Sequence, residues 1–137
     1  MLYRIDHGGI GNLHPDIWWV LVGANDLTDD FCNVDAIVAA NIAVVEKLLE
    51  LQPDSTVVIN SQLPRTPTYW QYLSKVNERL ACYAAVSHHV DFFDATDIFM
   101  TSEGHLQHLP DDVHPDEEGS RIWGKKIVQR VKVLTGP

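Results

Sequence analysis

Apolar and polar positions along the chain fall into blocks of two distinct periods. Residues 17–22, Ile-Trp-Trp-Val-Leu-Val, are apolar at every position. Such a run predicts a strand buried on both faces, as in a parallel sheet. Val34, Val38, Ile42, Val45 and Leu49 then recur at helical spacing and predict a helix over Val34–Leu51, with Asn33 as its cap. Thr56–Asn60 is short and β-branched, a second strand. Tyr69, Leu73, Val76, Leu80 and Tyr83 share one face of a helix predicted over 69–87, and 90–94 is a third strand. Trp123, Ile127, Val131 and Leu134 mark a last helix over 117–134.

The order is strand then helix, three times over. That alternation predicts parallel strands, right-handed crossovers and helices on both faces of the sheet. In such sheets ligands bind beyond the carboxyl ends of the strands. With 137 residues and no repeat or linker, one domain over 1–137 is expected. Residues 2–5 look like a helix remnant. The glycine-rich run 7–12 has no strand before it and no helix after it, so it is not a dinucleotide loop. Residues 26–33 and 63–68 are loops, and 96–110 is a long irregular segment of the kind that often carries function.

Two short stretches carry candidate chemistry. Asp111-Asp112-Val113-His114-Pro115-Asp116-Glu117-Glu118-Gly119 runs from a loop into the last helix. Pro115 has a helix-compatible φ, Asp116 can cap, and Glu117 and Glu118 suit a helix N-terminus. Asp111 and His114 therefore sit three residues apart on a short, rigid loop. A carboxylate beside an imidazole fixes its tautomer and stabilises the imidazolium, as a hydrolytic base requires. The second stretch is Gly23-Ala24-Asn25-Asp26, directly after the first apolar run.

Together, G-x-N-D after a strand and D-x-x-H-P-D-x-x-G before a last helix resemble two of the four blocks of the SGNH (GDSL-type) hydrolases. Leu63-Pro64-Arg65 and Asn77-x-x-Leu80 are similar to the branch that includes platelet-activating-factor acetylhydrolase. The resemblance spans residues 2–133. It implies a three-layer, flavodoxin-like α/β fold, of which this chain supplies the C-terminal three strands and their helices. It also implies ester hydrolysis by a Ser-His-Asp mechanism, with His114 as base, Asp111 as its orienter and Asn25 as an oxyanion-hole donor. Gly23 would allow the close turn that aims Asn25, and Asp26 would brace that loop. The family's G-D-S block and second-block glycine are not in this sequence, so the expected domain is N-terminally incomplete and lacks its nucleophile. Ser61 lies just past a strand and is the candidate surrogate, but no glycine turn exposes it.

Charge and composition narrow the partners. A net charge of −9 argues against nucleic acid and anionic membranes. The longest apolar run is far too short to span a bilayer, and the first residues lack the apolar segment of a signal peptide. A small-molecule ester is the expected partner and no cofactor is called for. The exposed apolar edge left by missing strands would favour self-association. Cys32 and Cys82 form no disulfide framework or metal pattern and suit small core positions. Two alternatives stand beside the hydrolase. One is a catalytically dead interaction protein of the same fold. The other is a metal module built from His105, His108, Asp111, Asp112 and His114, which fall within ten residues.

Overall fold

The computed structural model of the chain describes residues 1–27 and 33–136. Its elements are α1 (Leu2–Asp6), β1 (Ile17–Val20), α2 (Val34–Leu51), β2 (Thr56–Asn60), α3 (Pro67–Val86), β3 (Val90–Phe93), α4 (Thr96–Phe99) and α5 (Glu117–Thr135). Among the described residues the strands form one parallel sheet in the order β1-β2-β3. The register sets Trp19 beside Val58 and Val58 beside Asp91.

Side chains alternate across a strand, so each strand feeds both layers. Val20, Val57 and Ile59 pack with Ile37, Val44 and Leu48 of α2 and with Leu73, Val76 and Leu80 of α3. Val58 and Phe93 point the other way, onto Ile98 and Phe99 of α4 and Trp123 and Ile127 of α5. This is the expected three-layer arrangement.

The helix starts follow local chemistry. Asn33 caps α2 by accepting the Ala36 N–H at 2.8 Å. Val38 and Val45 of the expected α2 stripe are buried, whereas Val34, Ile42 and Leu49 are half-buried. Ile37, Asn41, Val44 and Leu48 complete the buried arc, because α2 packs against α1 and α3 as well as the sheet. α3 begins two residues earlier than expected, since Pro67 occupies its first turn, where a missing N–H costs nothing.

Three expectations need correction. The first strand ends at Val20, and Ile17, Trp18 and Trp19 are half-buried rather than buried on both faces. β1 pairs with β2 on one side and has no partner on its other side among the described residues. Residues 96–110 are less irregular than expected. They hold α4 and an antiparallel bridge between Met100 and Leu106, supported by Thr101 N–H to His105 O at 2.9 Å and Gln107 N–H to Phe99 O at 3.0 Å. Cys82 is exposed, because its position on α3 faces away from the sheet, opposite the Leu73–Val76–Leu80 stripe. Cys32 and part of the 26–33 loop lie outside the described residues.

α5 runs against the strands. Its Trp123 Nε1 donates to Asn60 Oδ1 at the end of β2, at 3.0 Å, while Arg130 Nε donates to Asp91 Oδ2 further down β3, at 2.7 Å. The N-terminus of α5 therefore lies at the carboxyl edge of the sheet. Gly119 is its one fully buried residue.

Candidate active site

The loop before α5 is locked by its own first residue. Asp111 Oδ1 accepts the backbone N–H of Val113 at 3.1 Å and of His114 at 2.7 Å. Its other oxygen, Oδ2, accepts from His114 Nδ1 at 2.7 Å. These bonds hold the Asp111 carboxyl well below the ordinary value of 3.8, at about 2, with the imidazole bond the largest cause and the His114 N–H next. Asp111 is therefore a carboxylate at neutral pH, and Nδ1 carries the proton that bonds it. In the neutral ring this leaves the Nε2 lone pair open, the state a general base needs. The pair is well exposed, with 80% of the His114 side chain and 56% of the Asp111 side chain accessible.

The helix behind the loop is seated by close packing. Asp116 caps α5 by accepting the Gly119 N–H at 2.6 Å, and its own N–H donates to His108 O at 2.9 Å. A Cβ on Gly119 would lie 2.6 Å from His108 Cβ and 3.0 Å from Phe99 Cε1. The glycine that closes the D-x-x-H-P-D-x-x-G block is thus required by contact with the 96–110 segment.

Asn25 sits in a turn closed by Asp26 N–H to Gly23 O at 3.1 Å. Gly23 has φ +96°, and a Cβ there would come within 3.1 Å of Ile37 Cγ2 and 3.3 Å of Asn41 Nδ2. Only glycine fits this conformation against α2. The brace expected of Asp26 comes from its backbone N–H. Asn25 itself is exposed and lies in the turn that follows β1, at the carboxyl edge of the sheet. Both motifs thus occupy the same edge, the turn after β1 and the loop before α5.

The remaining candidates are engaged in other bonds. Ser61 is fully buried, and its Oγ accepts the Ala95 N–H at 3.0 Å, which ties β2 to the start of α4. It is a structural serine. Among the described residues no three His, Cys, Asp or Glu side chains gather as a metal-binding group, and His108 faces Asp116 at 3.5 Å instead. Sequence patterns did not single out Asn60 or Gln62. Asn60 is buried and its Oδ1 accepts from the indoles of both Trp19, at 3.1 Å, and Trp123. The available signal was a run of polar residues, Asn60-Ser61-Gln62, directly after a β-branched strand.

The model of the GDSL-like lipase/acylhydrolase family matches residues 2–122. The chain belongs to this family. Solved structures agree in fold. A presumptive acylhydrolase of Bacteroides fragilis superposes with a TM-score of 0.79 at 25% identity, covering 97% of this chain and 69% of that one. A member of the lipolytic G-D-S-L family from Veillonella parvula gives 0.75 at 19% identity, covering 94% and 71%. A Streptococcus pneumoniae protein described as a presumptive platelet-activating factor gives 0.72 at 20% identity, covering 84% and 59%. The chain thus spans between about three-fifths and seven-tenths of the length of these solved proteins. No curated protein matches it by sequence. No described helix is long and apolar enough to cross a membrane.

Proposed function

We propose that this chain carries the base half of a GDSL-type active site for ester hydrolysis, with the serine nucleophile on a segment outside it. The observation that supports this most is the Asp111–His114 pair, bonded at 2.7 Å with Nε2 left open on the carboxyl edge of the sheet. In this reading His114 Nε2 takes the proton of a serine hydroxyl as its oxygen attacks the ester carbonyl. The side-chain NH₂ of Asn25 donates to the developing oxyanion. The tetrahedral intermediate then collapses, and the Nε2 proton leaves with the alcohol. Water, deprotonated by the same nitrogen, releases the acid and regenerates the serine.

The unpaired side of β1 is the proposed docking edge for the segment that bears the serine. Without that segment the same edge favours pairing with a second copy. The test is reconstitution. A strand–helix piece carrying a G-D-S turn, taken from a close relative, is fused ahead of Met1, and hydrolysis of a short activated ester is measured. Activity is expected only in the fusion, and His114→Ala should remove it. A folded fusion that hydrolyses nothing would reject the reading in favour of an interaction protein on the same fold, and one that ignores His114 would reject His114 as the base.

A further inference from the structure

The turn that carries Asn25 is not held by its own residues alone. The segment after β2 grips it at two carbonyls. Gln62 Nε2 donates to Val22 O at 2.7 Å, and Arg65 Nη1 donates to Ala24 O at 3.3 Å. Gln62 has no exposed surface, so this amide is a buried strut rather than a surface contact. It is itself gripped from α3. Asn77 Oδ1 accepts the Gln62 N–H at 2.7 Å, and Asn77 Nδ2 donates to Gln62 O at 2.9 Å. The two bonds fix both sides of the Gln62 peptide as a strand partner would, at a point where the β-ladder has already ended.

We propose that Gln62 and Asn77 are positioning residues for Asn25, a relay that sets the 23–26 turn from α3 across the end of β2. The proposal rests on the reading of Asn25 as an oxyanion donor. Such a donor must be held to within about half an ångström of its working place, and an exposed four-residue turn cannot do that unaided. The composition of the relay fits this task. A residue serving only the core at position 62 would be apolar, because Gln62 Oε1 is buried with no hydrogen-bond partner, a cost that an aliphatic side chain avoids. What an aliphatic side chain cannot do is donate to Val22 O. Asn77 likewise interrupts the buried Leu73–Val76–Leu80 face with a side chain that both donates and accepts.

Two variants test the relay by NMR relaxation on the ¹⁵N-labelled chain. Gln62→Met keeps the length and removes the donor to Val22 O. Asn77→Asp keeps the acceptor for the Gln62 N–H and loses the donor to Gln62 O, so it serves even if Gln62→Met does not fold. In the parent chain the Asn25 and Asp26 amides should show order parameters near 0.8. They should fall to about 0.6 or below in Gln62→Met, and part of the way in Asn77→Asp. Amides of β2 should keep their parent values in both. Unchanged order in the turn, or an equal loss in turn and strand, would overturn the proposal.

In the reconstituted enzyme Gln62→Met should lower kcat about tenfold or more at nearly constant KM, and should add little to Asn25→Ala. A turn that loosens with no change in kcat would uphold the positioning role and reject Asn25 as a donor instead. The two readings therefore fail separately.

Discussion

The 23–26 turn and the 111–114 loop lie on one edge of the sheet, yet they are held in opposite ways. The loop holds itself: every bond that Asp111 makes is to a residue two or three positions away. The turn is held from outside. Its glycine lies against Ile37 and Asn41, and Val22 and Ala24 are bonded to residues 40 and 41 positions away. A self-contained loop keeps its chemical pair assembled while 80% of the histidine is exposed. A turn set by distant residues is correct only when the core behind it is correct. Damage to the core should therefore reach Asn25 before it reaches His114.

The largest effects should separate chemistry from stability. In the reconstituted enzyme, His114→Ala or Asp111→Asn should cut turnover on the order of 10⁴-fold, since the base or its tautomer is lost. The melting temperature should hardly move, because neither side chain is buried. Steady-state kinetics and thermal melts on the same samples check both halves of this statement. A large fall in melting temperature with Asp111→Asn would mean that the fold as a whole leans on this loop's own bonds. Asn25→Ala should cost less, about 10²- to 10³-fold and mainly in kcat, the usual value of one oxyanion donor.

Variants that act through packing should behave the other way. Gly23→Ala places a side chain at φ +96° and 3.1 Å from Ile37 Cγ2, so a loss of about 2–3 kcal/mol is expected in urea unfolding. Gly119→Ala puts its Cβ 2.6 Å from His108 Cβ and should cost about 2 kcal/mol as α5 is forced away from Phe99. Gly23→Ala should also loosen Asn25, whereas Gly119→Ala should leave the 2.7 Å Asp111–His114 bond in place, visible as an unchanged Asp111 titration. Loss of that titration signature in Gly119→Ala would show that the loop leans on α5 after all.

The smallest effect is the titration itself. The Asp111 carboxyl carbon should titrate near pH 2, and His114→Ala should move the midpoint up toward 3.8, because the imidazole bond is the main cause of the shift. The sign follows from linkage. A carboxyl held below its ordinary value favours the folded loop above pH 3.8, and that contribution fades as pH falls toward 2. A midpoint near 3.8 in the parent chain would mean that the pair is open in solution.

Much of this architecture was legible without coordinates. The bounds of α2 and β2, the caps at Asn33 and Asp116 and the parallel three-layer plan all follow from periodicity and local hydrogen-bonding chemistry. The Asp111–His114 pair was legible for the same reason, since three residues of loop decide it. What lay beyond the sequence were relations between residues far apart in the chain. Ser61 was the candidate surrogate although no glycine turn exposes it, and only the position of Ala95 shows that it is buried and engaged. The bare edge of β1 was legible only through the family resemblance, since its own apolar residues do not record whether a strand lies beside them. Asn60 and Gln62 look like unremarkable polar residues until the fold places two indoles, a distant carbonyl and the Asn77 amide beside them, and Asn77, marked by the family resemblance, shows its two bonds only there. Short-range patterns fix what a segment can be, because backbone propensity and capping act within a turn or two. Which buried polar atoms find partners is settled only when the layers close, because that is when water is removed and each group must bond to whatever the fold has brought alongside.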